Sequence, residues 1–183
     1  METEVSQEQL LDILSNSRRR NEGFRLLMKR YGRKLYWHIR RIVVGHDDAE
    51  DALQETCVKI LGSIDSFRGD GDLLAWLYRI ATNEALRLLR KKTRLFESLD
   101  SLGEMLSEKI EAETTLDADA VEVLFQKALL TLPTQQRIAF NLRYYDELSY
   151  DEIAEITGKN VGTLKTNYHY AAEKIKKYIK EQS

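Results

Sequence analysis

Residues 149–179 read SYDEIAEITGKNVGTLKTNYHYAAEKIKKYI, and this stretch decides the fold. Ser149 and Glu152 stand three apart as a capping box, which starts a helix over 149–157. Gly158 then supplies the residue type that turns a chain at positive φ. A second helix follows over 161–180, with Leu164, Tyr168, Ala171, Ala172, Ile175 and Ile179 as its inward stripe. A small Ala154, the turning glycine and the apolar anchor Leu164 make this a helix-turn-helix pattern. Thr163, Lys165, Thr166, Asn167, His169 and Tyr170 stay outside near the start of the second helix, where such helices meet base edges. Lys174, Lys176, Lys177 and Lys180 lie further along and suit phosphates, which position without specifying. The plainer alternative is an αα-hairpin whose lysines only complement the helix dipole; the turn chemistry favours DNA reading.

Working outward, helices are expected over 118–131 and 134–145, the second opened by Pro133 at its first turn. Residues 96–117 are acidic and lack sustained periodicity, so they read as a linker, with transient helix as its alternative to an extended tether. Before them, apolar spacing predicts helices over 6–16, 22–44, 48–64 and 72–91. The first carries a Ser6/Gln9 capping box, and His46-Asp47 reads as the N-cap of the third. FRGDGD at 67–72 is a loop. With one proline and no strand-like alternation, the fold class is all-α. Two small helical domains are expected, 1–95 and 118–183, joined by an acidic linker at 96–117, the second containing the helix-turn-helix.

The formal charge of -2 hides a segregation. Residues 97–122 hold nine acids and one base, while 87–94 hold five bases and no acid. From Gly158 onward six lysines face two glutamates. Two basic patches around an acidic stretch suggest two separate contacts with a polyanion. The single Cys57 excludes an intramolecular disulfide and a multi-thiolate zinc site. No run approaches a membrane span and METEVSQEQL is unlike a secretory signal, so a soluble cytoplasmic protein is expected. His38, His46 and His169 are scattered with no nucleophile–base spacing, so no catalysis, metal or cofactor is expected.

In helix 72–91, Leu74, Leu77, Ala81, Ala85 and Leu88 can face a core. Arg79, Asn83, Arg87, Arg90 and Lys91 fall on another stripe, suited to phosphates and an exposed base edge. Phe67 and Trp76 beside it can cradle unpaired bases, although core packing is the commoner fate of such a tryptophan. The preceding helix exposes Asp48, Asp51, Gln54, Glu55 and Lys59 opposite Leu53 and Cys57. An acidic face beside a DNA-binding face fits a protein partner better than nucleic acid.

DAEDALQETCVKIL at 48–61, FRGDGDLLAWLYRIATNEALRLLRKK at 67–92 and LPTQQRIAFNLRYYDELSYDEIAEITGKNVGTLKTNYHYAAEKIKKYI at 132–179, in that order, resemble the extracytoplasmic-function (ECF) sigma factors of the sigma-70 superfamily. The resemblance covers about residues 24–180. It implies a region 2 domain that binds core RNA polymerase and melts the minus-ten element, and a region 4 domain that reads the minus-thirty-five element. By position, Asp48, Asp51, Gln54 and Glu55 would dock on polymerase. Phe67, Arg68, Asp72, Trp76, Arg79, Asn83, Arg87, Arg90 and Lys91 would serve the minus-ten element, capturing a base flipped from the non-template strand. Thr163, Lys165, Thr166, Asn167, His169, Tyr170 and Lys174 would contact the minus-thirty-five groove. The acidic segment looks like the linker that threads the polymerase channel. Asn167 and Tyr170 depart from the arginines common there, and Leu73 and Cys57 from common aromatics. The implied factor is non-enzymatic, monomeric when free, and partnered by core polymerase, promoter DNA and an anti-sigma protein. A polymerase-independent helix-turn-helix regulator is the alternative.

Overall fold

Scarce proline and recurrent apolar spacing give a fold of helices and short connections in the computed structural model, which describes residues 5–67, 69–94, 99–113 and 120–182. The helices are α1 Gln7–Ser15, α2 Arg20–Val43, α3 His46–Ser63, α4 Leu73–Thr93, α5 Leu99–Glu113, α6 Ala120–Leu130, α7 Thr134–Tyr144, α8 Tyr150–Thr157 and α9 Val161–Gln182. Both capping boxes form: Ser6 Oγ accepts from Gln9 N at 3.1 Å, and Ser149 Oγ from Glu152 N at 3.2 Å. Gly158 ends α8 with φ 71°, and Asn160 Oδ1 accepts from Thr163 N at 2.8 Å to open α9. The helix-turn-helix therefore has the turn its sequence specifies.

Three local expectations are corrected. α3 is capped by Gly45, not by His46-Asp47; its first residue His46 instead bonds Tyr36 Oη at 2.7 Å through Nδ1. Pro133 is the N-cap of α7, one position before the first turn. The segment read as a linker contains α5, whose Leu106 is buried against Val44. Its apolar residues are too few for a visible stripe, and tertiary contact supplies what periodicity does not.

Val44 sits at φ 70° and ψ -48°, with Gly45 N donating to Val43 O at 2.9 Å, the rare strained form of a γ-turn. A β-branched residue there is held by its surroundings. The turn is where α5 docks. A Cβ on Gly45 would lie 2.7 Å from Lys109 Nζ and 3.0 Å from Asp48 Oδ2, so the glycine makes room for that ion pair.

Helices α1–α4 form one lobe and α6–α9 another. The lobes nonetheless share a core. Ile138, Ala139, Leu142, Leu148, Ile153, Ile156 and Leu164 join the buried cluster built from Leu10 through Leu89. α7 lies on α2, and α8 lies directly on α4. A smaller cluster of Ala128, Leu129, Leu132, Phe140, Ala171 and Ile175 belongs to the second lobe alone.

Candidate nucleic-acid interface

Asp72 Oδ1 accepts from Leu74 N at 2.9 Å and starts α4 as its N-cap. Leu73, Leu77, Ala81 and Ala85 are fully buried, which turns the opposite face of α4 outward. Arg79, Asn83, Arg87, Arg90 and Lys91 are all exposed on it. Arg87 is held by Glu84 at 2.7 Å and Glu55 at 3.5 Å. This pairing ties the α4 row to the acidic face of α3.

At the start of this row lies a cavity of about 260 Å³, lined by Ser66, Phe67, Asp70, Gly71, Ala75, Trp76, Arg79 and Glu155. The Phe67 and Trp76 rings lie 5.4 Å apart and tilted by 48°, both half-buried against the core. Trp76 thus packs inward and still forms a wall. An aromatic pair with a guanidinium at the rim can hold an unstacked base and its phosphate. Arg68 lies outside the described residues.

The acidic face of α3 divides. Asp51, Gln54 and Glu55 are exposed. Asp48 is not: Lys92 and Lys109 both bond its Oδ2, the latter at 2.7 Å, and its side chain is only 13% exposed. Burial works to raise this carboxyl, but the two lysines outweigh it and hold it below the ordinary carboxylate range. Asp48 is a tie between α3, α4 and α5 in this structure, contrary to its expected place on the docking face. Val58, which the sequence reading passed over, is 65% exposed beside Gln54 and Glu55. An apolar side chain amid acids is a mark of a protein-docking face. Cys57 is half-buried, and burial pushes its thiol up, so it is no reactive thiolate.

On α9, Leu164, Ala171 and Ile175 are buried, and Thr163, Lys165, Thr166, His169, Tyr170 and Lys174 are exposed. Asn167 is partly covered. The Lys165 ammonium stands 5.8 Å from the Tyr150 ring centre, and the Arg143 guanidinium 4.9 Å from it. Arg143, on α7, extends the cationic surface beyond α9.

Two further features escaped the sequence reading. α2 carries eight bases against Glu22, including exposed Arg25, Lys29, Arg30, Arg33 and Lys34. Arg25 and the pairs Lys29-Arg30 and Arg33-Lys34 stand about one helical turn apart, a spacing available in the sequence, but they do not form an unbroken run. The second is a polar seam between the lobes. Asp146 accepts from Tyr78 Oη at 2.9 Å and from Arg41 Nη1 at 3.2 Å, and Arg41 also lies 4.3 Å over the Tyr145 ring. Burial raises the Asp146 carboxyl despite these donors. Arg137 of α7 reaches Ile42 O at 3.3 Å, at the negative end of α2, and burial lowers its pKa to about 10. No local motif announces a contact between residues a hundred positions apart.

Among the described residues no group of three His, Cys, Asp or Glu could hold a metal, and no helix is long and apolar enough to cross a membrane.

Comparison with known proteins matches residues 27–95 to Sigma-70 region 2 and residues 122–175 to Sigma-70, region 4. The ECF RNA polymerase sigma factor SigW of Bacillus subtilis is 34% identical, over 87% of this chain and 90% of its own. The ECF RNA polymerase sigma-E factor of Escherichia coli K12 is 34% identical, over 84% of this chain and 85% of its own. Among solved structures, the sigma factor RpoE in complex with the anti-sigma factor NepR from Bartonella quintana matches with a TM-score of 0.68 and 25% identity. That match covers 86% of this chain and 96% of that one. CnrH in complex with the cytosolic domain of CnrY matches with a TM-score of 0.69 and 23% identity, over 95% and 97%, a likeness of fold.

Proposed function

The chain belongs to the ECF sigma-70 family, and from that membership we propose how its surfaces divide the work of transcription initiation. It binds core RNA polymerase as a sigma factor. The docking face is Asp51, Gln54 and Glu55 with Val58 among them. The minus-ten site is the Phe67–Trp76–Arg79 cavity continued by Asn83, Arg87, Arg90 and Lys91. The minus-thirty-five reader is the exposed start of α9, with Lys165, Thr166, His169 and Tyr170 toward the groove. Residues 1–95, 96–117 and 118–183 serve as the polymerase-and-minus-ten unit, the linker and the minus-thirty-five unit.

The observation that carries this reading is the junction of a base row with an aromatic cavity on α4. Duplex DNA presents phosphates but hides its base faces, whereas a melted strand offers both. A surface that takes both binds the melted state better and shifts the equilibrium toward it without ATP. No bond is made or broken, so no covalent step falls to the chain. A polymerase-independent regulator has no use for such a cavity and is not favoured. An anti-sigma partner is expected here because the RpoE relative is a complex with one.

The test is run-off transcription from a cognate promoter with purified core enzyme. Initiation that requires both proteins supports the reading. A specific gel shift on duplex promoter that is equally strong without core enzyme, with no run-off product, overturns it.

A further inference from the structure

Arg137 of α7 is a buried cation that no carboxylate among the described residues pairs. The residue is only 4% exposed, its Nε has no partner, and its guanidinium reaches one acceptor, Ile42 O, at a long 3.3 Å. A guanidinium offers five N–H donors, and with a pKa of about 10 it keeps its charge at neutral pH. Burying a charge without its opposite leaves the loss of hydration uncompensated. The carbonyl end of α2 supplies only a partial charge against it. Arg137 therefore has unused capacity for an anion.

The same residue lines a cavity of about 360 Å³ walled by α2, α5, α6 and α7, inside the ~300–1,000 Å³ range of small-molecule sites. Three kinds of group meet there. The cations are Arg137, Arg40 and Arg41, of which Arg41 is already held by Asp146 at 3.2 Å. The flat surfaces are Tyr145 and Trp37, the latter 46% exposed on the solvent side. The third kind is a carboxylate, Glu122, which accepts from Gln126 Nε2 at 2.8 Å and is otherwise exposed, with lone pairs to spare.

We propose that this cavity binds a nucleoside phosphate, its phosphate at Arg137 and Arg40, its base on Trp37, and its sugar or base donors on Glu122. The inference goes beyond the functional reading above and does not depend on it. Each part of the ligand answers one part of the wall. Guanidinium takes phosphate through charge-assisted bonds, and an exposed indole takes any base by its π-face. A simple aromatic or aliphatic acid carries the charge but brings no donor to Glu122, whose carboxylate then only repels it. Because Arg137 is buried, the phosphate that reaches it lies at the end of a molecule, as in a mononucleotide, and not within a strand.

Calorimetric titration of the full chain with ADP and with GDP tests the site. Inorganic pyrophosphate and 4-hydroxybenzoate serve as the probes that carry the charge without the base, or a charged ring without phosphate or sugar. At least one nucleotide should bind at one per chain, about tenfold or more tighter than either partial probe. At a hundredfold excess over its dissociation constant it should raise the melting temperature by about 5 °C. Arg137→Gln, which removes an unpaired buried charge, should weaken binding at least tenfold, and Trp37→Ala about tenfold. Arg25→Gln, exposed on α2 outside the cavity, should leave it unchanged. Should Arg137→Gln fail to fold, the exposed Trp37 position decides alone. The proposal is overturned if neither nucleotide binds saturably, or if binding survives the Arg137 and Trp37 changes. Pyrophosphate or 4-hydroxybenzoate binding as tightly as the nucleotides overturns it too, and so does an equal loss from Arg25→Gln, which marks a diffuse attraction to α2.

Discussion

His38 Nε2 lies 2.7 Å from Thr82 Oγ1, inside the first lobe and wholly out of solvent. The Thr82 hydroxyl gives its one proton to Tyr78 O at 2.7 Å, so it must accept from His38. The imidazole is therefore the neutral Nε2–H tautomer. Its bare Nδ1 faces Asp146 Oδ2 at 4.0 Å without a proton between them. Burial, with the Arg41 charge adding to it, pushes the His38 pKa down to about 3.

The pH consequence has a definite sign. Between pH 6.5 and about 3 the unfolded chain binds a proton at His38 that the native chain refuses. Stability is intact above pH 6.5 and falls below it by about 1.4 kcal/mol per pH unit, or ~2 kcal/mol at pH 5. Denaturant melts of the wild type and His38→Gln at several pH values isolate this from the carboxylates, which titrate in both. The wild-type curve should fall away from that of the variant below pH 6.5; parallel curves would refute the assignment.

The docking face makes a second prediction. Asp51→Arg with Glu55→Arg reverses two exposed charges, and Val58→Asp removes the exposed apolar side chain about one turn beyond Glu55. Each should weaken core polymerase binding by roughly 30-fold or more, the ~2 kcal/mol of an interface hot spot. Melting temperature should stay close to wild type, because neither site is packed. Asp48→Ala should behave differently. It leaves Lys92 and Lys109 without their carboxylate, so it acts on stability and on the position of α5. Equal run-off activity of the Asp51/Glu55 variant and the wild type would sink the docking role.

How far the sequence carries can be judged at particular residues. Ser6, Ser149, Gly158 and Asp72 mark helix ends through bonds that span two to four residues, and each stands where the sequence reading puts a boundary. The exposed rows on α4 and α9 follow from helical spacing alone. Asp146 and Glu155 did not stand out, because Tyr78 lies 68 positions from Asp146 and Glu155 looks like any solvated helix acid. α5 was hidden for a related reason: Leu106 gains its partner only when the γ-turn at Val44 comes to it. Local chemistry is written locally, while lobe-on-lobe contact is not.

Gly158 tests the turn of the helix-turn-helix. Its φ is 71° and a Cβ there would meet nothing within 4 Å, so the cost of Gly158→Ala is backbone strain alone. That cost is about 1 kcal/mol, or ~2–4 °C in Tm for a chain of this size. Gly158→Asn should cost less, since asparagine tolerates the left-handed region. Calorimetry on the three proteins gives the order. A melting temperature unmoved by alanine would mean that the turn does not need positive φ.

Asn83 offers the sharpest test of strand capture, because it lies one turn beyond Arg79 on the exposed face of α4 and holds up no part of the core. An amide that bonds an extruded base contributes about 1–2 kcal/mol to the open complex, so Asn83→Ala should lower open-complex formation on duplex promoter about tenfold. On a template already unpaired across the minus-ten element the same bond is lost, but there is no duplex to oppose the complex. Occupancy there is near saturation and should change by less than about twofold at equal protein concentration. Potassium permanganate footprinting of unpaired thymines reads opening on the duplex promoter, and a gel shift of the holoenzyme complex reads occupancy of the pre-melted template. Equal losses would mean that Asn83 contributes general affinity rather than melting, and Arg79→Ala, which removes the proposed phosphate contact as well, should lose ground on both templates and show a weaker salt dependence.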